Sequence, residues 1–96
     1  MVVTMLKAEV AEERARESVD SFRAGVSPLP PAIREAFLLH ESGGDQWRIV
    51  TVWESKEALG GYRASVETPG GVLMFRSAEA EPTLTVFEVA AHADHP

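Results

Sequence analysis

Residues 46 to 54, Gln-Trp-Arg-Ile-Val-Thr-Val-Trp-Glu, read as a β-strand, and neither face of that strand is polar. Successive side chains of a strand point to opposite faces. Trp47, Ile49, Thr51 and Trp53 therefore share one side, and Val50 and Val52 hold the other, with Arg48 and Glu54 only at the ends. A sheet with helices on one face and water on the other alternates apolar and polar residues. This strand does not, so its fold has to cover both faces. Two further strands share the pattern. Thr85, Phe87, Val89 and Ala91 oppose Leu84, Val86 and Ala90, while Val2, Leu6 and Ala8 oppose Val3 and Met5. One layer of helices covers one face. The other would expose an apolar surface at or beyond the few hundred Å² of a monomer's largest patch. Packing of two sheets about a two-fold axis is the simplest cover, so the expected partner is a second copy, in a homodimer built sheet to sheet. The plainer alternative is that strand ends and long side chains close that face.

The remaining residues set the order of elements. Val2 to Val10 is a strand rich in β-branched residues. Ala11, Ala15, Val19 and Phe22 recur at helical spacing, with Glu12, Glu13, Arg16, Glu17 and Asp20 on the other side. Gly25 stands where that helix ends, and Pro28, Pro30 and Pro31 make the stretch after it a stiff loop. Residues 32 to 40 form a second strand, Glu41 to Asp45 a hairpin turn, and residues 46 to 54 the third strand. Ser55 is placed to cap a helix carrying Ala58, Leu59, Tyr62 and Val66. Gly60 and Gly61 weaken that helix by about 1 kcal/mol each relative to alanine. Thr68 and Pro69 look like the cap and first position of a short helix reaching Phe75 or Arg76. Pro82 precedes a fourth strand, Thr83 to Ala91, and residues 92 to 96 form a loose tail. The order β-α-β-β-α-(α)-β predicts an α+β, ferredoxin-like βαββαβ domain with a four-stranded antiparallel sheet. Another two-layer α+β order is the alternative. At 96 residues the chain is one domain, 1–96.

Composition narrows the function classes. Nine Lys and Arg against 15 Asp and Glu give a net charge of −6, which argues against a nucleic-acid partner. The absence of cysteine removes a thiol nucleophile, a disulfide framework and a cysteine zinc site. No apolar run approaches the ~20 residues of a membrane span, and the N-terminus lacks a basic region ahead of its apolar stretch, so no membrane partner and a cytoplasmic location are expected. His92, Asp94 and His95 have a spacing that is common by chance, on a tail without the rigid support that metal ligands need, so no metal site is expected. The glycine pairs do not follow a phosphate-loop spacing, and no serine sits in a nucleophile elbow.

The run Gln46-Trp-Arg-Ile-Val-Thr-Val-Trp-Glu-Ser-Lys-Glu-Ala-Leu59, followed by Tyr62-Arg63, resembles the antibiotic biosynthesis monooxygenase (ABM) domain of the dimeric α/β barrel superfamily. That family joins a strand with an aromatic or Glu-x-Trp ending to a Ser/Asp-x-Glu-Ala-Leu helix start. The resemblance implies a ferredoxin-like fold, a dimer built by sheet packing to give an α/β barrel, and a pocket in each subunit between sheet and helices. Some members are cofactor-independent oxygenases acting on polyketide-like phenols, and relatives degrade haem. This chain departs from the pattern in two places. Tyr62 stands near the position where many members carry a helix histidine. The haem-degrading relatives use an Asn on the first strand, a Trp at the end of the third and a His on the next helical segment. Trp53 matches the Trp, but residues 2 to 10 contain no Asn and residues 70 to 78 no His. Haem degradation is not expected, for want of an evident axial ligand, and no cofactor is expected.

Candidate site residues follow, each with a plainer reading beside it. Trp53 walls an aromatic pocket and stacks on a planar ligand, or is a core residue whose indole N–H finds a carbonyl. Tyr62 donates to a ligand oxygen and Arg76 stabilises a phenolate or carboxylate. On the residues alone the stronger reading is that Tyr62 closes its helix onto the sheet and Arg76 lies in solvent. The expected catalytic set is Trp53, Tyr62 and Arg76, and the expected ligand-binding set Phe37, Trp53 and Phe75. Phe37 and Phe75 serve equally as plain core, and Trp47 is structural or at the dimer rim. His40 beside Glu41 is a general base or, more simply, a solvated residue entering the turn. Three functions stay open: a monooxygenase without cofactor acting on a small aromatic or polyphenolic substrate, a non-catalytic binder of a small apolar ligand, and a structural dimer with a filled interior. The resemblance ranks the first highest.

Overall fold

The computed structural model describes all 96 residues. Strand β1 is Val2–Glu9; a 3-10 turn at Glu12–Arg14 leads into helix α1, Ala15–Gly25; then come β2, Ile33–His40, β3, Gln46–Trp53, α2, Lys56–Ser65, α3, Gly70–Ser77, and β4, Thr83–Glu88. The four strands form one antiparallel sheet in the order β2-β3-β1-β4, the ferredoxin-like arrangement expected from the sequence. The fourth strand stops at Glu88 rather than Ala91, because its only neighbour, β1, begins at Val2, which pairs with Glu88.

The pairing register settles which faces look inward. Val2, Thr4, Leu6 and Ala8 stand opposite Trp53, Thr51, Ile49 and Trp47, and all eight are buried beneath the helices. Leu84 and Val86 lie on that face too, opposite Leu6 and Thr4, but on an edge strand where they stay exposed. The apolar contacts divide into two clusters. One joins Leu6, Ala8, Val10, Trp47 and Ile49 to Phe75, Ala78 and Ala80, and the other joins Val2 and Trp53 to Leu59. Between them lies the rung formed by Thr4 and Thr51.

The opposite face carries no helix. Val3, Met5, Val50 and Val52 are half-buried there, Val3 and Val52 beside Met1, Arg34, Val89 and His92, and Phe37, Leu39 and Phe87 flank them at 46%, 47% and 45% exposure. Within a single chain the strand ends do not close this face.

Local chemistry explains the helix starts. The Ser55 hydroxyl accepts from the Ala58 N–H at 3.0 Å, capping α2 as its sequence position suggested. Helix α3 starts differently. Pro69, not Thr68, is the residue before its first turn, and no side chain of that residue caps it. The orphan Gly70 N–H is met instead by the Tyr62 hydroxyl at 3.0 Å, so α2 supplies the cap of α3. Gly71 permits α3 to lie close against the sheet: a Cβ there would come within 2.6 Å of Leu6 Cδ1, whereas none would meet anything within 4 Å at Gly60 or Gly61.

That difference separates two glycines of similar appearance in the sequence. Gly71→Ala is expected to destabilise the fold by about 1–3 kcal/mol through overpacking, and Gly60→Ala to stabilise it by about 0.5–1 kcal/mol through helix propensity and reduced unfolded-state entropy. Urea denaturation of both variants checks the opposite signs.

Candidate functional site

Between the two apolar clusters, under α2 and α3, lies a cavity of about 330 Å³, within the roughly 300–1,000 Å³ of small-molecule sites. The sheet supplies its floor through Thr4, Leu6, Ile49, Thr51 and Trp53; α1 contributes Phe22, α2 Leu59 and Tyr62, and α3 Val72 and Met74. Its position follows from the sequence. The Thr4–Thr51 rung places short side chains at mid-sheet, and the near-contact of α3 at Gly71 fixes the roof at one end only.

Trp53 is 5% exposed, and its indole N–H donates to the Thr4 hydroxyl at 2.9 Å. Its polar edge is thus satisfied within the sheet, and the indole is held against the Tyr62 ring, with centroids 5.1 Å apart and planes tilted by 51°. Tyr62 in turn spends a lone pair of its hydroxyl on the Gly70 N–H. Because that oxygen accepts, its own proton is left to donate. Trp53 and Tyr62 both line the cavity as one supported aromatic corner.

Arg76 also lines the cavity but is engaged: Nε and Nη2 donate to the two carboxylate oxygens of Glu81 at 3.0 and 2.8 Å. These hydrogen bonds hold the Glu81 carboxyl below its ordinary range, against a smaller opposing effect of burial, and raise the Arg76 guanidinium. The pair straddles the end of α3, a five-residue spacing that no helical i,i+4 rule flags. Arg63, also lining the cavity, makes no ion pair. Sequence reasoning passed over it because an exposed arginine late in a helix is unremarkable by pattern.

The other expected binding residues lie elsewhere. Phe37 is on the uncovered sheet face, opposite Val50, and does not line the cavity. Strict alternation from Ile33 would have kept it inside, but a register shift between Ile33 and Glu35 takes one residue out of step and turns Phe37 outward. Phe75 is 0% exposed and packs in the larger apolar cluster behind the cavity. Trp53, Tyr62 and Phe75 therefore do not close into one filled interior. Trp47 belongs to that same cluster and stacks on His40, with ring centroids 4.2 Å apart. His40 Nε2 lies 2.6 Å from the Gly44 carbonyl, which accepts its proton, so the ring is part of the hairpin rather than of the cavity. None of the three histidines lines the cavity, and no group of three or more His, Asp or Glu is placed to hold a metal. No helix is long and apolar enough to cross a membrane.

A ferredoxin-like sheet roofed by helices over a cavity with an aromatic corner defines a class, small α+β domains that enclose a ligand-sized space. The family follows from the sequence. The model for "Antibiotic biosynthesis monooxygenase" matches residues 1–68, and the chain belongs to that family. Solved structures share the whole architecture. SnoaB, a cofactor-independent oxygenase from Streptomyces nogalater, superposes with a TM-score of 0.72 at 17% identity, over 98% of this chain and 97% of that one. Rv0793 from Mycobacterium tuberculosis gives 0.70 at 15%, over 98% and 100%. A mutant of MhuD with two manganese protoporphyrin IX bound per active site gives 0.67 at 20%, over 99% and 100%. At these identities the likeness is one of fold. No curated protein matches the chain in sequence.

The Trp53–Thr4 hydrogen bond is the first feature of the site to test. Trp53→Phe is expected to cost about 2 kcal/mol, and Thr4→Val, which leaves the indole N–H unpaired, about 1–3 kcal/mol. The double variant should fall short of their sum by about 1 kcal/mol. Thermal or urea unfolding of the four proteins measures the coupling.

Proposed function

We propose that the chain is a homodimeric monooxygenase that works without metal or flavin on a small aromatic phenol held in the cavity. The observation that carries this reading is the 330 Å³ space walled by Trp53 and Tyr62, in a chain of the antibiotic biosynthesis monooxygenase family. The oxygenase activity named for SnoaB, a protein of the same fold, supports it. The mainly apolar lining orients a planar ring against the Trp53 indole. The Tyr62 proton is aimed at a phenolate oxygen and favours the anion. Such an electron-rich anion reduces oxygen directly. In a phenol whose keto form carries a ring CH₂, as in an anthrone, ionisation releases one hydrogen of that carbon to solvent as a proton. Oxygen adds to the carbon, the peroxide takes a proton back from solvent, and the hydroperoxide loses water to leave a carbonyl, so that one oxygen atom is kept and the other departs as water. In this reading Trp53 and Tyr62 touch the substrate, and Arg76 closes the rim through Glu81. Phe37 acts in the homodimer, where it, Val50 and Phe87 meet their counterparts across the two sheets, which completes the barrel. Phe75 backs the cavity without entering it. Haem degradation is not favoured, because no imidazole faces the cavity.

One observation favours a second reading, a binder without turnover. Glu81 is the only carboxylate of the lining, and Arg76 holds it ionised below the usual range, which makes it a weak proton acceptor.

Oxygen uptake with anthrone-type substrates decides between them. The oxygenase reading expects uptake with carbonyl product in equal amount, and a fall of about 10²-fold or more for Trp53→Ala through lost positioning. Stabilisation of the protein by such compounds without uptake supports the binder. Absence of both defeats the cavity as a ligand site.

A further inference from the structure

The cavity lining contains two cations and one anion: Arg63, Arg76 and Glu81. Glu81 gives both carboxylate oxygens to Arg76, which leaves that guanidinium electrically answered. Arg63 has no carboxylate partner anywhere in the chain. Four of the nine cations, Lys7, Arg16, Arg23 and Arg63, make no ion pair, and Arg63 alone among these four lines the cavity. Arg63 directly follows Tyr62 on the helix that forms the aromatic corner.

We infer that Arg63 selects ligands with a planar apolar body and a carboxylate, the ring seated at Trp53 and Tyr62 and the acid paired with the Arg63 guanidinium. This assignment rests on the cavity being a ligand site and specifies the ligand's charge. A guanidinium meets a carboxylate with two parallel N–H···O bonds, a geometry that a neutral amide does not reproduce. The other charges of the lining, Arg76 and Glu81, answer each other, and the overall negative charge of the chain repels anions at a distance. Preference for an acid over its neutral isostere therefore falls to this side chain. Arg63 is exposed and makes no hydrogen bond that the fold requires, so its replacement leaves the fold intact.

Calorimetric titration with 2-naphthoate and with naphthalene-2-carboxamide tests the assignment. The wild-type chain is expected to bind the acid about tenfold or more tightly than the amide, the gap of one charge-assisted contact. Arg63→Gln should bring the two dissociation constants together by weakening the acid alone. Arg23→Gln, at an exposed arginine of α1 outside the cavity, should keep the preference. Equal binding of both probes by the wild type, or a preference that survives Arg63→Gln, would overturn the assignment and leave the ligand cavity standing. Failure of both probes to bind would overturn the ligand cavity, and the assignment with it.

Discussion

The structure depends on a sheet that is apolar on both sides. Its inner face is satisfied within one chain: eight side chains of β1 and β3 lie beneath three helices. Its outer face is not, and Phe37, Leu39 and Phe87 remain nearly half exposed around Val3, Met5, Val50 and Val52. Apolar patches of this kind mark contact surfaces. On the inner side lies the space of about 330 Å³ beneath α2 and α3. There the Thr4–Thr51 rung interrupts the apolar packing and leaves a gap between two clusters.

The gap is held open by the contacts around it rather than by loose packing. Gly71 sets the close approach of α3, Tyr62 ties α2 to the first turn of α3, and Thr4 fixes the Trp53 indole. Each is a polar or steric constraint between two different elements, and together they set the walls. Arg76 and Glu81 complete the rim as a closed ion pair, and Arg63 stands without one.

Much of the fold was legible in the chain. The two-sided pattern of residues 46 to 54, the hairpin at 41–45 and the Ser55 cap led to the right order of strands and helices, and the Trp-Glu-Ser-Lys-Glu-Ala-Leu run pointed to the family that the comparison confirms. Trp53 could be singled out as a tryptophan at a strand end, and Tyr62 because it stands near the position where many members of the family carry a helix histidine. Phe37 could not be placed, since a one-residue bulge in β2 reverses its face and leaves no mark in composition. The Arg76–Glu81 pairing and the capping of Gly70 by Tyr62 depend on how chain segments turn between elements, which periodicity does not encode. Arg63 gains its interest only from what the other charges are doing, and that is knowable only in three dimensions.

The account stands or falls on the outer face of the sheet. Sedimentation equilibrium of the wild-type chain and of Val50→Asp, at micromolar concentration, addresses it directly. The account predicts twice the 10.4 kDa chain mass for the wild type and a shift toward the single-chain mass for the variant, which places a charge at the centre of the apolar face. A wild-type chain that sediments at the single-chain mass would contradict it.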